Sequence, residues 1–382
     1  MLIKRPVYNN RLECVAVEII AHQQAKEYRE LYEHFASILR NTDKQLPLFL
    51  PYALKFLIEK PDLPIENPII LKLHAADINT LCPRAELEYT TYTIALLIDS
   101  PEQLAWLNFA EYIALSEHLM TAANLTKVVK YSQDRKRKVI AYDINHTTNF
   151  ERCKAMSMDL FCGDFLFQPN EQEQQDIAAN QLNLLELISK LQQQDTNLDH
   201  IAELIQADPM LSYQLLRIAN SVAFSGYQTV ESIQQAIMRL GIINLKNWVM
   251  VLSMTNVSNK PAEIVESGLI RAQMAQRIAE SQPELSAASA YTVGLLSVLD
   301  SLMDTPMENL LEKITLADEI KTALISHSGS LGQLLSTVIA YEEGHLNEEM
   351  GTSYTNVDLS KIYLECLEQI SLSKKAMSAP KS

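Results

Sequence analysis

Cysteine is scarce in this 382-residue chain, and the five it has are badly spaced for chemistry. Cys14, Cys82, Cys153, Cys162 and Cys366 lie far apart, with no CxxC pair and no Cys/His cluster. That pattern offers no zinc site, and an odd, scattered count suits reduced thiols in a cytosol. Positive charge is also in short supply: 32 Lys and Arg against 47 Asp and Glu leave a formal net charge of -15. An acidic surface repels phosphate backbones and anionic bilayers, so neither nucleic acid nor membrane is an expected partner. No stretch approaches the ~20 apolar residues of a membrane span. The opening residues, MLIKRPVYNNRLECVAVEII, alternate charged and apolar side chains and lack the apolar run of a signal peptide. Glycine-rich phosphate loops are missing too. There is no Walker loop, no GxGxxG and no local Ser/Cys–His signature of a nucleophile. What remains reads as a soluble, cytoplasmic protein of ordinary globular composition, 47% hydrophobic and 21% charged.

The length suggests two domains of ~100–200 residues each. Residues 1–169 mix strand-like and helical runs. LECVAVEII alternates and follows a turn-forming Asn9-Asn10, while QQAKEYRELYEHFASIL places Tyr28, Leu31, Phe35 and Leu39 on one side of a helix. PIILKL, YTIALLI, YIAL and KVIAYDI are compact apolar runs with helical segments between most of them. Such alternation predicts a mainly parallel sheet, open or closed. A complete eight-fold barrel usually needs at least ~200 residues, so a barrel here is expected to be trimmed. Residues 170–181 are polar and read as a linker. From Leu182 the pattern is helical through about residue 370, and 371–382 read as a flexible tail. Thr196 with Asp199, and Ser232 with Gln235, fit capping boxes. Asp208 should cap a helix that starts at Pro209 and buries Leu211, Leu215, Ile218 and Ala219. Asn220-Ser221 suits the end of that helix, and Gly241 suits the end of the next.

Two resemblances follow from these stretches. IAELIQADPMLSYQLLRIANS and AIMRLGIINLKNWVM, within residues 182–347, resemble the HDOD domain, a relative of HD-type phosphohydrolases. RPVYNNRLECVAVEIIAH and KVIAYDINHTTNFERCKAMSMDLFCGDFLFQP resemble the opening and closing portions of an EAL domain, the cyclic di-GMP phosphodiesterase barrel. Together the chain looks like a bacterial two-domain EAL–HDOD signalling protein. That implies an EAL-like α/β barrel of TIM type followed by an all-α HDOD domain, and a role in motility, biofilm or related regulation.

The resemblance also says which chemistry is lost. An EAL enzyme holds two divalent cations with a ring of carboxylates and an Asn, beside a Lys near the attacking water; hard cations demand such oxygen ligands. Glu18 matches the Glu of the EAL signature, but His22 stands where active members have Arg. Lys72 lies near the place of the metal-binding Asn. The stretch expected to carry paired aspartates reads Ile113-Ala114-Leu115-Ser116-Glu117-His118, and Asp143 in Ala141-Tyr142-Asp143-Ile144-Asn145 falls off register. Cys162 replaces the Gln before Gly163. Glu18 is therefore expected to be a vestigial strand residue with a buried or edge hydrogen bond. On the HD side, Leu296-Ser297-Val298-Leu299-Asp300 stands where enzymes carry the metal-binding His-Asp. None of the histidines (His22, His34, His74, His118, His146, His200, His327, His345) is followed by Asp. His200 and His327 read as ordinary polar residues. The basic cluster Asp134–Lys138, DRKRK, reads as a solvated strand entrance, with a phosphate contact as the sharper alternative.

The expected function is a non-enzymatic signalling adaptor without metal or cofactor. Its partners would be other signalling proteins, and a homo-oligomer is compatible with the sequence. A receptor that binds cyclic di-GMP without cleaving it is the first alternative, and His22 in place of Arg weighs against it. A residual phosphodiesterase is the second.

Overall fold

The computed structural model describes residues 2–21, 28–59, 63, 65–116, 119, 125–169, 179–192, 198–206, 208–220, 230–257, 260–346, 354 and 357–378. The chain divides into two compact units, Met1–Gln168 and Pro169–Ser382.

The first unit is a closed barrel of eight strands in sequence order. They are β1 Leu2–Tyr8, β2 Cys14–Ala21, β3 Leu48–Pro51, β4 Ile69–His74, β5 Thr93–Ile98, β6 Tyr112–Ser116, β7 Lys138–Tyr142 and β8 Leu160–Cys162. β1 runs antiparallel to both its neighbours, β2 and β8, and every other pairing is parallel. The hairpin turn is set by Asn9, whose side-chain oxygen accepts from the backbone of Arg11 and Glu13. The expected trimming therefore does not touch the strand count. It falls on the connections. Short 3-10 helices (Tyr52–Leu57, Ala75–Asp77) and a longer one (Pro101–Phe109) take much of the space of full helices after β3, β4 and β5. Among the described residues the α-helices of this unit are α1 Tyr28–Arg40, α2 Arg84–Tyr89, α3 Leu125–Asp134 and α4 Thr147–Ala155. Leu31, Phe35 and Leu39 of α1 are buried. The barrel interior is filled by Val7, Ala16, Phe49, Ile70, Ala95, Ala114, Ile140 and Cys162. Three alanines in that layer leave room for the ring of Phe49, which packs edge-on against Tyr112.

The second unit is helical throughout its described residues. Its helices are α5 Ala179–Gln192, α6 Leu198–Gln206, α7 Pro209–Ala219, α8 Ile233–Val257, α9 Ala262–Glu280, α10 Ala287–Leu296, α11 Leu299–Met303, α12 Met307–Leu311, α13 Asp318–Ser326, α14 Gly329–Glu342 and α15 Leu359–Ser378. α8 is broken at Gly241, where φ 72° and ψ 161° are non-helical values that favour glycine. α9 and α10 approach closely because a Cβ at Gly294 would lie 2.5 Å from the backbone nitrogen of Ala272. Two boundaries differ from the sequence reading. Ala179 to Gln181 already belong to α5. At the other end, α15 continues through 371–378, because Leu367, Ile370 and Ser373 keep one buried side at helical spacing and Lys374 pairs with Glu266.

Candidate functional site

Side chains two apart on a strand point the same way. Stepping two residues from the apolar layer of the barrel reaches Arg5 from Val7, Glu18 from Ala16, Lys72 from Ile70 and Tyr142 from Ile140. On β2, β4 and β7 that step runs toward the C-terminal ends, the end of a barrel where loops and chemistry gather. The four side chains form one polar layer above the apolar one.

Glu18 is its centre, with a side chain only 2% exposed. Arg5 donates to Oε2 through Nε at 3.0 Å and Nη2 at 2.8 Å. Lys72 donates to Oε1. The Tyr142 hydroxyl also donates to Oε1, at 2.8 Å, and in turn accepts from Lys72 Nζ at 2.8 Å. Cys162 Sγ lies 3.1 Å from Oε2. Arg5 extends the network through Nη1 to Asp143 Oδ1 at 3.1 Å, at the rim. Burial alone would push the Glu18 carboxyl up, but Lys72 and then Arg5 hold it well below the usual carboxylate range. The same burial, with the Glu18 charge alongside, pushes the Tyr142 hydroxyl up, and burial pushes up the Cys162 thiol. Both therefore stay protonated and serve as donors.

This arrangement does not fit a divalent cation. Two cations of the chain already stand against the carboxylate that would be the first ligand. A metal at bonding distance from Glu18 would face both. Two unit charges at 4 Å repel by about 4 kcal/mol at an effective dielectric of 20, and a divalent ion doubles that for each neighbour. Among the described residues, no group of three or more His, Cys, Asp and Glu could hold a metal ion.

The structure brings Glu18, Lys72, Cys162 and Asp143 together. Asp143, expected off register, stands just after β7, where a backbone with φ 59° turns the chain and its carboxylate meets Arg5. It bonds a guanidinium there. His22, Glu117 and His118 lie outside the described residues. Arg5 and Tyr142 were not singled out by sequence. The visible signal for Arg5 was a charged residue within a strand of a hairpin, facing the strand that carries Glu18. The basic cluster Asp134–Lys138 lies at the opposite end of β7, where Arg135 stacks on Tyr131 and Arg137 donates to Asn108 O at 3.2 Å.

The helical unit holds a second buried charge pair. Arg271 on α9 donates to Glu342 on α14 at 2.6 Å, and Ser267 donates to the other oxygen of Glu342. Arg271 also reaches Ser297 Oγ at 3.4 Å, in the stretch that stands in place of His-Asp. Asp300 accepts from the Ser301 backbone at 2.7 Å, and burial raises its carboxyl. His327 ends α13 in the left-handed conformation, with Nδ1 3.3 Å from Ser336 Oγ; burial and then Arg271 lower its pKa. The side chain of His200 lies outside the described residues.

The remaining named positions are local to α7 and α8. Asp208 accepts from the backbone of Met210 at 2.9 Å and of Leu211 at 3.1 Å, with Pro209 as the first helical residue. Asn220 closes the same helix. Its amide donates to Leu216 O and Val230 O at 2.9 and 2.8 Å, and its oxygen accepts from Val230 N at 2.7 Å. Ser221 and Thr196 lie outside the described residues. Ser232 accepts from Gln235 N at 3.2 Å, while Gln235 Oε1 accepts from Glu231 N at 2.8 Å.

Residues 181–326 match the family model of the HDOD domain. The chain is 29% identical over 235 residues to the uncharacterized protein YuxH of Bacillus subtilis (strain 168), a match that covers 60% of this chain and 58% of that protein, less than two thirds of its length. It is 26% identical over 366 residues to the cyclic di-GMP phosphodiesterase CdgJ of Vibrio cholerae serotype O1, covering 89% of this chain and 84% of that one. Among solved structures it is similar to an EAL domain protein from Listeria monocytogenes EGD-e, at 11% identity and a TM-score of 0.34, covering 43% of this chain and 86% of that one. The chain thus joins a closed eight-stranded barrel to a helical unit in which residues 181–326 match the HDOD domain. No helix of its described residues is long and apolar enough to cross a membrane.

Proposed function

We propose that this barrel–HDOD chain is a non-enzymatic signalling adaptor in a cytoplasmic, cyclic di-GMP-linked regulatory network. The helical unit is the docking platform, and the barrel is a sensor or second docking surface. Partners are other signalling proteins. The link to cyclic di-GMP is supported by the likeness to CdgJ over most of both chains. The departure from catalysis is carried by one observation. The single carboxylate at the EAL position is neutralised by Arg5 and Lys72 and capped by Tyr142 and Cys162. Hydrolysis of a phosphodiester through metal-activated water needs that carboxylate free to bind cations. The receptor alternative needs cationic donors for the nucleotide's phosphates. Here the two cations of the layer are both engaged with Glu18.

The test is incubation of the full chain with cyclic di-GMP and Mg²⁺ or Mn²⁺, followed by chromatography. No linear dinucleotide should appear above a no-protein control. Product that appears and then vanishes in Glu18→Ala refutes the reading. Calorimetric titration with the nucleotide separates adaptor from receptor, and the adaptor should give no saturable heat.

A further inference from the structure

The basic run Asp134–Lys138 takes no part in the polar layer of the barrel, and its surroundings sort the cations into two groups. Three have structural partners. Arg135 lies 3.5 Å above the Tyr131 ring and donates to Tyr131 O at 3.3 Å. Arg137 donates to Asn108 O near the end of the 3-10 helix Pro101–Phe109, and Lys138 lies over the Tyr112 ring. Three others are free of such partners. Lys127, Lys130 and Lys136 are exposed, and among the described residues none of them is in an ion pair. Lys127 and Lys130 stand on the outer side of α3, whose other side buries Leu125, Val129 and Ser132. Lys136 follows the end of the helix. There Arg137 N donates to Ser132 O at 3.0 Å, Lys136 N donates to Gln133 O at 2.8 Å, and Lys136 has φ 59°. This is a Schellman ending, whose left-handed position glycine fills without steric cost. Lysine adds a charge that the ending does not need. The helix dipole does not account for the row either. It favours cations in the last turn, and Lys127 is in the first.

The local charge survives a count over the described elements around α3. Gln133 donates to Ser157 O at 2.7 Å, which sets the end of α3 beside the loop after α4, and Lys138 N donates to Glu111 O at 2.9 Å beside β6. α4 contributes Arg152, and a pair of Lys154 with Glu151 at 3.8 Å. The other acids are Asp134, Glu111 and Asp159, whose carboxylate accepts from Val139 N. Eight cations therefore stand against four acids. Glu102, at the far end of the 3-10 helix that meets Arg137, is ~12 Å away along its axis. Counting it as well leaves eight against five, while the remainder of residues 1–168 has eleven basic and sixteen acidic residues. The shape of the row also selects its occupant. From Lys127 to Lys136 it extends over about 14 Å at helical rise, so the lysines do not converge on one small anion. An extended chain sets alternate side chains ~7 Å apart, and carboxylates at i, i+2 and i+4 span the same length. A nucleic acid also presents a row of anions, but its longer backbone meets the repulsion of a chain with net charge -15.

We infer that the outer side of α3, continued by Lys136, is a docking site for an extended acidic segment of a partner protein, whose alternate carboxylates meet Lys127, Lys130 and Lys136. This rests on the adaptor reading and names the partner's chemistry. Exposed charge pairs are weak singly and act mainly by steering, so association should be fast and should weaken with salt.

The probe is a fluorescein-labelled peptide of five Glu-Ser repeats, titrated with the full chain at low salt and read by anisotropy. A peptide of Gln-Ser repeats with the same label is the neutral control. The expected result is saturable binding of the acidic peptide alone, weakened about fivefold or more in Lys127→Gln/Lys130→Gln/Lys136→Asn. Asparagine tolerates the left-handed position, and circular dichroism checks that the variant keeps its fold. Lys44→Gln/Lys313→Gln/Lys361→Gln removes the same net charge from exposed positions elsewhere and should bind as the parent does. Absence of saturable binding overturns the inference. So does an equal loss in both triple variants, which would make the binding a response to total charge. A single-stranded oligonucleotide of about ten nucleotides that displaces the probe at lower concentration than unlabelled acidic peptide overturns it in favour of nucleic acid. Cyclic di-GMP hydrolysis on the same preparation tests the adaptor reading separately. Hydrolysis together with lysine-dependent peptide binding refutes that reading alone, and the absence of both refutes the docking site alone.

Discussion

Glu18 ties three strands together through charge, and its titration sets a pH dependence with a definite sign. Its folded carboxyl is held below the usual range by Lys72 and Arg5 against the opposing effect of burial. An unfolded Glu titrates near 4.3. The pairing therefore contributes fully above about pH 4.3, and is lost as pH falls through the depressed folded value. The barrel has one tryptophan, Trp106, and the helical unit has the other, Trp248. In a Trp248→Phe background, fluorescence follows the barrel alone. Glu18→Gln leaves Arg5 and Lys72 facing each other without their carboxylate, and should cost about 3–5 kcal/mol in urea denaturation at neutral pH. Below pH 4 the gap between the variant and the parent should narrow, because the unfolded parent's Glu18 takes up a proton that its folded carboxylate does not. A gap that stays constant down to pH 3 would mean that the Glu18 charge is not what the cluster uses.

At the scale of the element, the connection from α6 to α7 and on to α8 is governed by backbone groups that find side-chain partners. The first N–H groups of α7 have no carbonyl of their own, and Asp208 accepts from two of them. Asp208→Ala should cost about 0.5–2 kcal/mol, the range for a lost N-cap. Leu215 is fully buried, so Leu215→Ala should cost more, about 2–5 kcal/mol. A Trp106→Phe background, read at Trp248, measures both in the helical unit. The reverse order of costs would place the burden of α7 on its cap and not on its packing. Asn220 differs from an ordinary end residue. Its amide pairs with both backbone groups of Val230, ten residues on, and so anchors the entry to α8 to the exit of α7. The glycine break at 241 then directs the second half of α8. Apolar periodicity runs through both halves, so the pattern marks a helix on each side but not the angle between them.

For the whole molecule, the HDOD match ends at 326, but the helical core does not. Glu342, the partner of buried Arg271, lies in α14, and Tyr341 packs against Tyr363 of α15. A fragment 169–382 should be soluble and strongly helical by circular dichroism. A fragment 181–326 should be much less stable or fail to fold, since it strands Arg271 in an apolar interior without its carboxylate and strips the faces that α14 and α15 cover. If the short fragment unfolds at the same urea concentration as the long one, the last two helices are appendages and the ion pair is dispensable.

The strand–helix alternation of the first half, the helical second half, the capping residues at Asp208 and Asn220, and the glycine at 241 were all legible in the sequence. Each depends on local periodicity or on one residue's conformational chemistry. β3 and β8 were harder, because four and three residues are too short to show a period of two. The charged layer was decided only by the tertiary structure. Extending the pairing Tyr8↔Cys14 without interruption would set Arg5 opposite Val17. The irregularity between Val7 and Tyr8 shifts the register by one residue and sets Arg5 opposite Glu18. A slip of one residue turns a strand's side chains to the other face, so this bulge determines whether Glu18 meets a guanidinium or an apolar neighbour. Lys72 and Tyr142 reach the same carboxylate from 54 and 124 residues away, through barrel closure that no local pattern encodes. The resemblance raised the expectation that the metal ligands are missing. Only the closed barrel shows that the chain's own cations stand against the carboxylate that remains.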